Sequence, residues 1–182
     1  MDGHIMRTRP HILTSPSGVE RIVSGGQTGA DRAGLDVALR QGIPHGGWCP
    51  KGRRSETGRI PAKYRLKETP RPTYIKRTEW NVRDSDGTAI FTIRPDLRGV
   101  SWRAQEFAQQ SDKPHIHIPL SGTYQPALDL LKFITAHKIR TLNVAGSREN
   151  QEPGIASWVE GVLEDALFWN SPGTLLSGLD EG

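Results

Sequence analysis

Apolar and polar positions alternate between two periods along the chain, and their order predicts strands interleaved with helices. Arg21 to Ser24 is a short β-rich run. It is followed by Gly25, Gly26 and Gly29, then by Ala30, Leu35, Ala38 and Leu39 at helical spacing, with Gly42 as the stop. Thr28 is the expected N-cap, with Asp31 three residues on completing a capping-box-like pair. Ile43 to Trp48 reads as a second strand, interrupted by Pro44 and the Gly46-Gly47 pair. Regularity then disappears from Cys49 to Arg71, a stretch long enough to predict a lid or binding loop.

Beyond that loop, Thr78 is placed to cap a short helix carrying Trp80, Asn81 and Arg83, and Asp84-Ser85-Asp86-Gly87 turns into a strand from Thr88 to Ile93. Gly99-Val100-Ser101 forms a second glycine turn, with Ser101 as the expected N-cap of a helix from Trp102 to Gln110. A strand spans Pro114 to Ile118, a helix Tyr124 to His137 and a fifth strand Arg140 to Ala145. The last helix buries Ile155, Val159, Val162, Leu163 and Ala166, leaving Trp158, Phe168 and Trp169 beyond its stripe. Surplus aromatics of this kind predict an interface and a homo-oligomer. Five strands separated by helices or long crossovers imply an α/β three-layer sandwich with a mostly parallel sheet, whose ligands bind beyond the carboxyl ends of the strands.

The 182 residues suit a single domain, from 19 to 170, with residues 1–18 and 171–182 as tails. No apolar run approaches the roughly 20 residues that span a bilayer, and Cys49 is the single cysteine. A soluble protein of the reducing cytoplasm is expected.

The formal charge of +4 is unevenly spread. Eleven Lys and Arg lie between Lys51 and Arg83 against three Glu, whereas after Arg148 there are seven Asp and Glu and no Lys or Arg. This favours a local site for an anion over a uniform nucleic-acid coat.

The chemistry concentrates at strand-to-helix turns. Gly25, Gly26 and Gly29 permit close approach of an anion to backbone N–H groups at a helix start, with Gln27, Thr28 and Asp31 beside it. The same glycines also suit an ordinary tight turn. Neither a dinucleotide fingerprint nor a P-loop lysine is present, so backbone amides and the helix dipole are the expected phosphate contacts.

Lys51 and Arg54 in the irregular loop, Gly99 and Ser101, and Gly146, Ser147, Arg148, Pro153 and Gly154 are the further candidates for an anion site. Arg148 either faces the ligand or pairs with a neighbouring glutamate. Asp84 and Asp86, with Arg83 and Ser85 between and beside them, are either plain turn chemistry or groups facing ribose hydroxyls, ring nitrogens or Mg²⁺. Glu56, Asp84 and Asp86 are the carboxylates available to a hydrolytic reaction, although no poised acid/base pair is recognisable. His115 and His117 share a strand face without an identifiable third ligand, so no metal site is assigned.

Four blocks in order carry a resemblance: Ser24-Gly25-Gly26-Gln27-Thr28-Gly29-Ala30-Asp31, Gly47-Trp48-Cys49-Pro50-Lys51-Gly52-Arg53-Arg54, Trp80-Asn81-Val82-Arg83-Asp84-Ser85-Asp86, and Asn143 to Gly146 continuing through Arg148-Glu149 to Ile155. The chain resembles the putative molybdenum carrier family, the circularly permuted YpsA-like branch of the SLOG superfamily, from about Val19 to Phe168. The resemblance implies a Rossmann-like fold and a tetramer. It also implies a carrier for a phosphorylated pterin, molybdenum cofactor (molybdopterin), or for a nucleotide-like ligand. Delivery to molybdoenzymes or exchange with cofactor-synthesis proteins would follow, with neither nucleic acid nor membrane as partner. The same superfamily resembles phosphoribohydrolases that act on nucleotides, which is the alternative. This chain has Gly99-Val100-Ser101 where relatives carry Gly-Gly-Thr, Ser147 where they carry Pro, and Thr57 where an acidic residue is expected.

Overall fold

The computed structural model describes residues 15–168. Of the predicted tails, Ser15 to Gly18 form a hydrogen-bonded turn against Val19, and residues 1–14 and 169–182, with Trp169 among them, lie outside the described residues.

Five parallel strands make the central sheet in the order β2-β1-β9-β7-β8. They are β1 (Arg21–Val23), β2 (His45–Gly46), β7 (Gly87–Thr92), β8 (His115–Pro119) and β9 (Thr141–Gly146). Helices α1 (Ala30–Gln41), α4 (Pro126–His137) and α5 (Ile155–Phe168) cover one face, and α2 (Tyr74–Arg83) and α3 (Gly99–Gln110) the other. The predicted Rossmann-like three-layer sandwich is therefore the observed fold. Every residue of β7 is buried, as expected of a strand covered on both sides.

The two faces are chemically unlike. Leu142 and Val144 of β9 join the main apolar core with Val37 of α1 and Val159 and Leu163 of α5. Asn143, between them in sequence, points the other way and donates to Thr88 Oγ1 at 3.1 Å. Trp158 and Phe168 pack on the apolar core, Trp158 lying edge-on to Phe91 with ring centroids 5.9 Å apart. They are half-buried against the core rather than fully exposed as the sequence pattern suggested.

Several boundaries differ from the sequence pattern for tertiary reasons. The predicted strand from Ile43 to Trp48 splits at Gly47: β2 stays in the main sheet, while β3 (Trp48–Cys49) pairs with β6 (Lys67–Glu68). Gly47 has φ 121°, and a Cβ there would lie 2.2 Å from Ser24 O. Helix α2 begins at Tyr74 behind Thr73, so Thr78 is inside the helix, bonding Tyr74 O at 3.1 Å. Helix α3 begins at Gly99, which puts Ser101 in its first turn rather than at its cap.

The irregular stretch carries β4 (Arg54–Ser55) and β5 (Gly58–Arg59) as a hairpin and encloses a second small core of Leu35, Cys49, Ile60 and Tyr64. Arg53 stitches it together by donating to the carbonyls of Ile60, Pro61, Tyr64 and Leu66. One guanidinium thus supplies the order that the apolar pattern lacks.

Candidate anion-binding cleft

Because β1, β9 and β7 are parallel neighbours, the loops after their carboxyl ends open side by side. They enclose a cleft of about 340 Å³. Gln27 and Asp31 come from the first glycine turn and α1, and Arg77 from α2. The β7–α3 connection gives Arg94, Asp96, Arg98, Gly99, Val100 and Ser101, and the segment after β9 gives Gly146, Ser147, Arg148, Gln151 and Glu152.

Asp31 and Arg77 anchor the floor. Their Oδ2 and guanidinium nitrogen are 2.8 Å apart, with both side chains buried, and the N–H of Gln27 donates to the same oxygen at 3.3 Å. Arg77 lies across the turn so closely that a Cβ on Gly25 would sit 1.5 Å from its terminal nitrogen. Glycine is thus required at 25 to seat an arginine. At Gly29, φ is +81° and a Cβ would meet Ser147 O at 2.3 Å, so the two strand-ending turns touch through this residue. Burial raises the Asp31 carboxyl above its ordinary range, opposed by Arg77, the Gln27 N–H and Arg148.

Thr28 is not the cap: Gly29 occupies that position, and Thr28 Oγ1 is buried with no partner among the described residues. The Asp31 carboxylate is turned to Arg77 and Gln27 instead. Gln27 donates Nε2 to Arg54 O at 2.9 Å, which fixes its amide and leaves Oε1 buried, without a partner, in the wall of the cleft.

Four arginines and three carboxylates line the cleft, a surplus of one positive charge. Arg98 pairs with Asp96, and Arg94 is near Glu152 at 3.9 Å. Both glutamates close in sequence to Arg148 are otherwise engaged. Glu149 accepts from Gly154 N at 2.6 Å and Ala156 N at 3.0 Å, capping α5, and Glu152 accepts from Ile93 N at 2.7 Å and Arg94 N at 2.9 Å. Burial, the largest single influence, raises the Glu152 carboxyl, but these N–H donors together with Ser147 and the charge of Arg94 hold it below the ordinary glutamate value. Among the described residues Arg148 has no ion-pair partner, and its guanidinium carbon lies 4.9 Å from the centroid of the Tyr74 ring.

Of the residues expected at an anion site, Gln27, Asp31, Gly99, Ser101, Gly146, Ser147 and Arg148 line the cleft. Gly25 lies in a narrow cavity behind it with Asp31 and Arg77. Gly26 packs toward Leu66 and Ile60, supporting the hairpin. Pro153 and Gly154 are outside, because Glu149 already occupies the start of α5. Lys51 and Arg54 are exposed on the far loop, where the carbonyl rather than the guanidinium of Arg54 reaches the site through Gln27.

The Trp80–Asp86 segment does not line the cleft, because α2 runs from the carboxyl rim toward the amino ends of β7 and β9; Asn81, part-way along, borders the narrow cavity with Gly25, Asp31 and Arg77, and Asp86 lies at the far end. There Asp86 accepts from Arg140 N and Thr141 N, Ser85 donates to Val82 O, and Lys113 contacts the carbonyls of Arg83 and Ser85. Asp84 binds the Trp48 indole N–H at 2.7 Å and Arg83, which holds its carboxyl below the ordinary range. Asn81 accepts from Trp48 N and donates to Trp48 O. This segment is a latch for β3. Neither Asp84 nor Asp86 is at the cleft, and Glu56, in the β4–β5 turn, does not line it either. His117 shares a 2.7 Å hydrogen bond with Thr92 Oγ1.

Arg94, Asp96 and Arg98 were accessible to sequence reasoning, since they follow β7 as Gly99 does. Arg77 and Tyr74 were not: they lie in a helix with no motif to mark which side chains face the rim.

Residues 22–167 match the profile of the Circularly permutated YpsA SLOG family. The chain belongs to that family. A crystal structure of a protein from Syntrophus aciditrophicus SB named Putative molybdenum carrier protein is similar at 45% identity, with a TM-score of 0.80, over 82% of this chain and 96% of that one. No curated protein matches. The glycine turn at Gly25 and the Arg148 segment both fall within the family match, as does the latch.

Proposed function

We propose that this protein is a binding or carrier protein whose cleft takes a small phosphorylated molecule, with a phosphorylated pterin such as molybdenum cofactor as the leading ligand and a nucleotide as the next. The observation that carries this reading is Arg148, a cleft-lining guanidinium with neither neighbouring glutamate as partner. A fork of N–H donors left unneutralised beside a helix start suits a phosphate oxygen. Gln27 Oε1 adds an acceptor for a hydroxyl or amino group on the ligand body. The relative's name supplies the molybdenum link, and the residues fit the phosphate of such a cofactor. The cofactor's own chemistry would be carried, not performed, by this chain.

Calorimetric titration with AMP and with adenosine separates a phosphate contact from general packing. A charge-assisted hydrogen bond is worth about 1.5–3 kcal/mol, so Arg148→Ala weakens AMP on the order of tenfold to a hundredfold and leaves adenosine nearly unchanged. Equal losses for both would defeat the reading. Fluorescence of oxidised pterin released from protein purified out of a cofactor-overproducing host then tests the pterin against the nucleotide.

One observation favours a second reading, hydrolysis of nucleotides: Asp31 places a buried carboxylate of raised pKa on the cleft floor. Free base released from AMP at roughly 1–1000 per second, and stopped by Asp31→Asn, would select it. A cytoplasmic homotetramer remains part of the proposal on the family resemblance alone, and light scattering at micromolar concentration decides it. No helix among the described residues is long and apolar enough to cross a membrane.

A further inference from the structure

Arg148 raises a physical problem: a long cation with no ion-pair partner among the described residues needs to be held in place, but a carboxylate that held it would cancel the charge the cleft uses. The flanking glutamates are turned away to backbone N–H groups, as described above. What touches the guanidinium is the ring of Tyr74, the first residue of α2, at 4.9 Å from its centroid. The same ring lies 5.9 Å from the guanidinium carbon of Arg77, whose terminal nitrogen is fixed by Asp31. An aromatic face attracts a guanidinium through its quadrupole and leaves the in-plane N–H groups free. Thr78 bonds the Tyr74 carbonyl one turn on, so the platform is attached to a regular helix rather than a loose loop.

We infer that Tyr74 is a positioning residue for the anion site, seating Arg148 on its ring beside Arg77 so that the cation is ordered without being neutralised. The inference rests on the cleft being an anion site, and it adds a residue from α2, outside the glycine turn and the strand ends. It requires the ring and not the hydroxyl.

The test is an AMP titration of a double-mutant cycle, with thermal unfolding recorded for each variant. Tyr74→Phe keeps AMP affinity within about twofold. Tyr74→Leu lowers it about three- to tenfold, the range expected for loss of a partly desolvated cation–π contact. In the Arg148→Ala background Tyr74→Leu produces no further loss, and in the Arg148→Lys background the dependence on residue 74 shrinks, because a lysine does not stack as a planar group. Tyr74→Met serves as the second apolar replacement should Tyr74→Leu fold poorly. Wild-type AMP affinity in folded Tyr74→Leu, or an equal loss with and without Arg148, overturns the inference while leaving the phosphate contact standing. Unchanged AMP affinity in Arg148→Ala removes both.

Discussion

Two stretches of this chain, Gly25–Asp31 and Trp80–Asp86, are equally rich in polar and conformationally special residues, yet they end at opposite edges of the sheet with opposite electrostatic states. Along the second stretch the polar groups are paired: Asp86, at the amino edge, with two N–H groups of β9 or just before it, Asp84 with Trp48 and Arg83, and Asn81 with both backbone groups of Trp48. At the carboxyl edge the turn converges with the end of β9 and, among the described residues, leaves Gln27 Oε1 without a donor and Arg148 without a carboxylate. Burying polar groups without partners is costly, so a fold tolerates it where a ligand or another function compensates. Pairing state, rather than residue type, separates the latch from the site.

That contrast is sharpened by substitution. The largest effect is expected at Asp31, which belongs to both categories. Asp31→Ala strands a buried Arg77 and should cost about 3–5 kcal/mol in urea unfolding, with AMP binding impaired as well. A loss of binding without loss of stability would break the comparison. Asn81→Leu comes next: it removes the partners of two Trp48 backbone groups and should cost about 2–4 kcal/mol while AMP affinity in the folded protein stays unchanged. Weakened AMP binding there would return the latch to the site.

A pH dependence follows from Glu152. Its carboxyl in the folded chain is held below the ordinary value of 4.5, so it contributes stability above that value and loses the contribution as pH falls through the folded value. Acid unfolding of Glu152→Gln should therefore show a shallower decline below pH 4.5 than the wild type. The smallest change is expected for Asp84→Asn, whose ion pair with Arg83 is about half exposed on both sides: less than about 1 kcal/mol in stability, and no change in AMP binding.

Much of this protein was legible in its sequence because local periodicity and topology rules act over short distances. Interleaved strands and helices require a parallel sheet covered on both faces, and a parallel sheet places its binding rim at the strands' carboxyl ends. Those two steps brought Gly25, Gly146, Ser147 and Arg148 to one edge. The basic excess in the irregular loop suggested an anionic ligand there, yet Lys51 and Arg54 are exposed and do not line the cleft. Arg53 shows why composition misleads: its charge is spent on four carbonyls inside the loop.

What only the tertiary structure decided is the partnership of each polar group. Sequence spacing allowed Arg148 to meet Glu149 or Glu152, and it allowed Asp31 to cap its own helix. The fold instead gave Glu149 to the start of α5, Glu152 to the end of β7, and Asp31 to an arginine 46 residues away in α2, a helix whose inward face no local pattern marks. Secondary structure follows from neighbours in the chain, but a net charge at a cleft depends on which distant donors and acceptors reach each other first in space.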